Sequence, residues 1–226
     1  MPPSPSPRSR GPKPTRVDPD QLLDAAQDVF AECGLQAATL RAIARRAGCD
    51  PALIYYHFES KEALFTALLD RRFPRVEADM AALADASHRG TAERLWDVLR
   101  IYHRHLNRDP GLRAMVRGEI VRGAGGIGKL IEHRIRPVVQ LVHRIVAEGV
   151  GRGDLRPELD PQLATFFLLK MQLEILDVLP VMAQGVLGLP SESAVPRGMR
   201  AWFELYWRGV ARDPGLPLPA LPDGDA

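Results

Sequence analysis

At Asp18-Pro19, Asp50-Pro51 and Asp160-Pro161 an aspartate stands directly before a proline at the head of a run of apolar residues three and four apart. The aspartate side chain accepts hydrogen bonds from the free amides of a helix start. Proline at the first helical position loses no needed amide, and its φ is already set. The apolar steps that follow Pro19, through Leu22, Leu23, Ala26, Val29, Phe30 and Cys33, mark one face of a helix. No sustained alternating or β-branched run stands between turns, so no sheet is predicted. The chain is expected to be all-α.

Start and stop signals place the other helices. Gly34 ends the first one. Thr39 caps a second, with Leu40, Ile43, Ala44 and Ala47 as its stripe and Gly48 as its stop. The third is the short "PALIYYHF". Ser60 caps a fourth through Lys61, Ala63, Leu64, Ala67 and Leu68, which Pro74 is expected to kink or divide. Further helices are predicted from Thr91 to Leu106, from Leu112 to Val121, from Ile127 to Val150 with a kink at Pro137, from Pro161 to about Leu179, and from Pro196 to Ala211. The stretch "GVGRGDLRPELDP" reads as a loop.

The chain of 226 residues, 46% of them hydrophobic, is long enough for a sizeable core. A formal net charge of +2 is too mild to identify an acidic partner. Residues 1–17 are rich in Pro, Ser and Arg and read as a disordered basic arm carrying Arg8, Arg10, Lys13 and Arg16. Such an arm is either a solubilising tail or a strand of charge lying along a polyanion. Residues 213–226 read as a disordered tail. No apolar signal segment is present, and the longest apolar stretch, Phe166 to Leu179, is interrupted by Lys170, Gln172, Glu174 and Asp177. A cytoplasmic protein with no membrane partner is expected. Cys33 and Cys49 lack metal-ligand spacing and read as two buried thiols. Neither they nor the six histidines suggest a metal site, and no cofactor is expected.

The stretch "RGAGGIGKL", Arg122 to Leu130, imitates nucleotide-binding loops. Gly123, Gly125 and Gly128 fit G-x-G-x-x-G, while Gly123, Gly128 and Lys129 fit most of a phosphate loop. Both motifs need a buried strand before the loop and a helix after it. The preceding "LRAMVRGEIVR" is helix-patterned, and Leu130 stands where a magnesium-binding Ser or Thr belongs. A nucleotide-using enzyme is therefore set aside, and the glycines read as a connection between two helices.

The informative stretch is "TLRAIARRAGCDPALIYYHFESK", Thr39 to Lys61. Two short helices joined by a turn containing Gly48 have the layout of a helix-turn-helix, at about residues 39–58. Ala44 and Ala47 are small enough for close helix packing, and Ile54 and Phe58 face the core. Ala52, Leu53, Tyr55, Tyr56 and His57 remain to enter a major groove. Arg41 and Lys61 are placed to pair with phosphates.

The block "VFAECGLQAATLRAIARRAGCDPALIYYHFESKEALF" resembles the DNA-binding domain of the TetR (tetracycline-repressor) family of bacterial regulators. A plain helical hairpin in a protein-binding scaffold shares the coarse pattern; the length and order of the match favour a DNA reader. The resemblance implies that Thr39, Arg41, the exposed face of the third helix and Lys61 contact DNA. Pro51, Ala52 and Leu53 depart from the polar residues often found at the start of that helix in the family. Readout is then expected to rest on methyl contacts, the tyrosines and DNA shape.

The resemblance further implies a DNA-binding domain over residues 18–73 and a helical regulatory and dimerisation domain over 76–212. The protein would be no enzyme but a ligand-responsive repressor, binding a palindromic double-stranded operator as a homodimer and released by an apolar or amphipathic small molecule. The helix from Pro161 is apolar on nearly all sides and must be covered all round. With the last helix, which offers Trp202, Phe203 and Tyr206, it is expected to form a four-helix dimer interface. Pocket candidates are Trp96, Leu99 and His103 on one helix face, joined by Met115, Phe167, Met171 and Glu174. Glu174 would meet a cationic ligand or an arginine across the dimer.

Overall fold

The computed structural model describes residues 18–86, 88–122, 134–188, 190–215 and 218. The expected basic arm, most of the tail from residue 213, and the glycine stretch beyond Arg122 lie outside the described residues. Eleven α-helices are described: α1 (Pro19–Ala37), α2 (Leu40–Ala47), α3 (Pro51–His57), α4 (Lys61–Arg72), α5 (Pro74–Ala84), α6 (Thr91–Arg108), α7 (Pro110–Arg122), α8 (Arg136–Arg152), α9 (Pro161–Asp177), α10 (Leu179–Met182) and α11 (Ser191–Val210). Among the described residues there is no strand, only one bridge between Leu155 and Ala211.

The helix starts follow local chemistry. Asp18 Oδ1 accepts from Asp20 N, Thr39 Oγ1 from Ala42 N, Asp50 Oδ1 from Ala52 N, Ser60 Oγ from Ala63 N and Asp160 Oδ1 from Gln162 N, all between 2.8 and 3.1 Å. Each cap satisfies an amide that the helix cannot. Gly34 leaves helical geometry at φ 78°, ψ 166°, a break inside α1 where the sequence expects its end. Pro74 divides rather than kinks, since α4 ends at Arg72 and Pro74 opens α5.

Two expectations are corrected. The stretch of the expected helix from Ile127 to residue 133 lies outside the described residues, and Pro137 sits in the first turn of α8, where its missing amide costs little. That helix runs on through Gly149 to Arg152, four residues into the expected loop, and Gly153 ends it at φ 80°. Gly149 stays helical because its bare Cα packs against α6; a Cβ there would stand 2.7 Å from Thr91 Cγ2. The last helix starts at Ser191, so Pro196 lies inside it. A proline this near the start removes little of the hydrogen-bond ladder.

Two cores form. In the head, Phe30 and Phe65 meet edge to face with centroids 5.2 Å apart, among buried Leu22, Ala26, Ile43, Ile54, Leu64 and Leu68. Leu112, Met115 and Val116 of α7 belong to this same core, because α7 lies along α1. In the second core, Trp96 packs on Phe203 with centroids 5.2 Å apart, surrounded by α6, α8, α9 and α11. Arg156 N donates to Val210 O and Arg212 N to Asp154 O, both at 3.0 Å, tying the α8–α9 connection to the end of α11.

Candidate nucleic-acid interface and ligand cavity

α2 and α3 are set by their turn. Gly48 adopts φ 67°, ψ 31°, and its amide and that of Cys49 return to the last carbonyls of α2. An L-residue with a side chain strains in this left-handed conformation, so glycine is needed there. Ile43, Ala44 and Ile54 are buried, pinning both helices to the head. Arg46 bridges α2 to α1 through Glu32 at 2.6 Å and Asp28 at 3.3 Å. Cys33 and Cys49 are free thiols, half-buried rather than sealed.

With Ile54 facing inward, the opposite side of α3 is bare. Tyr55 is 62% exposed and Tyr56 82% exposed, and the Tyr56 ring meets the neighbouring His57 ring edge to face at 5.0 Å. Ala52 and His57 are exposed and Pro51 is half-buried. Leu53 differs from the rest of the expected reading face: it packs partly against the head core. Thr39 and Arg41 are exposed at the start of α2. Arg45, four residues after Arg41 and on the same side of α2, is also exposed. Arg45 is not among the contacts expected from the sequence; its i, i+4 spacing from Arg41 is the signal by which it could be found.

Lys61 has a second task that spacing does not reveal. Its Nζ donates to Gln36 O at 2.8 Å and to Ala38 O at 3.3 Å. The ammonium therefore caps carbonyls at the end of α1 and locks α4 to the approach to α2.

A cavity of about 260 Å³ opens between α6, α7, α8 and α9. Phe73, Tyr102, Leu106, Val116, Ile135, Leu169 and Leu173 give it apolar walls, with Arg134, Thr165, Lys170 and Gln172 among them. Phe73 is the junction of α4 and α5. Arg134 pairs with Asp70 of α4 and Glu77 of α5, and its guanidinium carbon stands 5.9 Å from the Phe73 ring centroid.

None of the seven side chains suggested by the sequence lines this cavity. Trp96 and Leu99 are sealed in the second core and Met115 in the head core. His103 is buried; burial first, and the charge of Arg113 next, pushes its pKa below the ordinary value. Phe167 and Met171 are exposed, on another side of α9. Glu174 meets Lys170 at 2.5 Å, a pairing one turn apart on its own helix, which holds its carboxyl below the usual range. Periodicity finds a helix face but not the gap that several faces leave between them, so this cavity is not legible in the spacing of those residues.

Residues 22–68 match the family described as bacterial regulatory proteins, tetR family. A curated relative, the HTH-type transcriptional regulator UidR of Escherichia coli (strain K12), is 22% identical over 166 residues, 73% of this chain and 81% of its own. The head of the chain, residues 22–68, is a TetR-family DNA-binding domain. Two solved structures share the fold of the chain. The transcriptional regulator FadR from Bacillus subtilis in complex with stearoyl-CoA superposes with a TM-score of 0.64 at 21% identity, covering 84% of this chain and 98% of that one. The ketosteroid transcriptional regulator KstR2 of Mycobacterium tuberculosis does so at 0.65 and 23%, covering 91% and 100%. TetR-family proteins are DNA-binding transcription regulators that act as dimers and respond to small molecules.

The described residues leave an apolar face uncovered. Leu163, Phe167 and Met171 of α9, Val178, Val181 and Met182 beside α10, and Leu205 of α11 are exposed. The expectation for α11 is corrected: Phe203 and Tyr206 are buried in their own subunit, where the Tyr206 hydroxyl donates to Ala164 O at 3.1 Å, and Trp202 is half-buried. Leu205, on the other side of the helix, is the large exposed residue. Among the described residues no helix is long and apolar enough to cross a membrane.

Proposed function

We propose that this protein is a cytoplasmic repressor that binds a palindromic operator as a homodimer and lets go when an apolar or amphipathic effector enters the cavity beside Phe73. The DNA-binding domain covers residues 18–73 and the regulatory and dimerisation domain 76–212. The observation that carries the reading is the bare outer side of α3, where Tyr55 and Tyr56 project from a helix anchored by Ile54. Tyr55, Tyr56, Pro51, Ala52 and His57 read the groove, with Leu53 contributing its outer edge. Thr39, Arg41 and Arg45 hold phosphates, and Lys61 sets the register of α4 besides.

The dimer is built on the exposed side of α9 together with α10 and Leu205 of α11. Two α3 helices then stand about one DNA turn apart. An apolar face this large is unstable against water unless covered, which supports a partner of the same kind.

Release follows from Arg134. It touches the cavity and holds Asp70 and Glu77, on the two sides of the α4–α5 junction. An effector that prefers one position of Arg134 prefers one position of α4, and with it one spacing of the two heads. FadR with its stearoyl-CoA and the ketosteroid regulator KstR2 support a lipid-like effector. A gel shift on the DNA upstream of the coding sequence, with a salt series, tests the core of the reading. Specific binding that weakens steeply with salt is expected, because phosphate contacts release counterions. Binding that is absent, or equal for unrelated DNA, overturns it.

A further inference from the structure

Two residues that line the cavity each hold a buried polar atom with no hydrogen-bond partner among the described residues, Gln172 its Oε1 and Arg134 its Nε. Gln172 is 1% exposed, and its Nε2 donates to Met199 Sδ at 3.6 Å. A thioether can only accept, so the amide nitrogen must face Met199 and the carbonyl oxygen turns away from it. Arg134 gives one N–H of each terminal nitrogen to Glu77 and Asp70, while its buried Nε–H has no partner among the described residues. A buried donor and a buried acceptor left unpaired in an apolar cavity are each costly, and a ligand that satisfies both gains accordingly.

The charges of the wall are already answered. Arg134 meets two carboxylates and Lys170 meets Glu174. An anionic group beside Arg134 would also face Asp70 and Glu77, and beside Gln172 it would set lone pair against lone pair. Burial pushes the pKa of the Tyr102 hydroxyl up, so this wall group stays neutral as well.

We propose that the effector is an uncharged, mainly apolar molecule bearing a hydroxyl, which donates to Gln172 Oε1 and offers an oxygen lone pair to Arg134 Nε. The inference rests on reading the cavity as the effector site. It excludes ionised fatty acids as the natural class and makes Gln172 the residue that selects for a donor.

The test compares decan-1-ol, 2-decanone, decanoate and decane, four probes of one chain length, binding to the full-length protein by calorimetry near neutral pH. Decan-1-ol is expected to bind at least about tenfold more tightly than decanoate or decane, the scale of one buried hydrogen bond. In Gln172→Leu, decan-1-ol falls to the level of 2-decanone, whose own affinity is unchanged. Decanoate binding as tightly as the alcohol, decane matching it, or no probe binding to the folded protein overturns the proposal. If Gln172→Leu does not fold, the ranking in the unaltered protein decides. The gel shift without probe separates the two readings: specific operator binding with the wrong ranking sinks the ligand class alone, and loss of specific DNA binding sinks the repressor.

Discussion

Gln27 of α1 and Asp109, at the corner between α6 and α7, are hydrogen-bonded, Nε2 to Oδ1 at 2.8 Å. The same Oδ1 accepts from Leu112 N at 2.9 Å in the first turn of α7, and Oδ2 stands 3.4 Å from Arg72 Nε of α4. One carboxylate thus joins the head to the helix that lies along it. A Cβ at Gly111 would stand 2.4 Å from Gln27 Nε2, so the bare glycine is what allows this approach.

Asp109→Ala removes a helix cap and leaves the Gln27 amide without its acceptor. A loss of about 2 kcal/mol in unfolding free energy is expected, measured by urea titration followed by circular dichroism. An unchanged midpoint would mean the corner is held by packing alone.

Tyr56→Ala takes away a side chain that touches almost nothing in the protomer. Stability should stay within about 0.5 kcal/mol of the parent protein. Operator affinity, read by fluorescence anisotropy, should drop by about 1–3 kcal/mol. A large fall in stability would show that Tyr56 packs inside the folded molecule.

Lys61→Ala behaves differently, since its ammonium bonds Gln36 O and Ala38 O. Both operator affinity and stability should fall, the latter by about 1–2 kcal/mol. A purely DNA-binding defect, with thermal unfolding unaltered, would restrict Lys61 to phosphate contact.

Phe167→Glu and Leu205→Glu place a charge on the exposed apolar face of α9 and α11. Each variant should sediment as a monomer and lose palindrome binding while remaining helical. Phe203→Ala, by contrast, empties a core site and should cost about 3–5 kcal/mol in stability. A Phe167→Glu protein that still sediments as a dimer places the interface elsewhere.

Burial first and Arg113 next keep His103 neutral below its ordinary pKa of 6.5. The unfolded chain binds a proton there sooner than the folded one as pH falls. The resulting stability is complete above pH 6.5 and is lost as pH drops from there toward the lowered folded value. Urea midpoints at two pH values on either side of this window should differ less in His103→Leu than in the parent. Equal differences in both proteins would refute the assignment.

The sequence by itself determined where helices begin and end. Asp18, Thr39, Asp50, Ser60 and Asp160 cap in place, and Gly48 turns the chain between α2 and α3, because caps and turns depend on neighbours a few residues away. The order of these signals from Thr39 to Lys61 also carried the family. Only the tertiary structure decided which sides of α9 and α11 face inward, that Leu53 leans on the core, that Lys61 caps α1, and where the cavity opens. A helix apolar all round has no periodic signal to orient it. A cavity is the space that Phe73, Tyr102, Arg134 and Gln172 leave unfilled, residues far apart in the chain whose spacing is settled by packing alone.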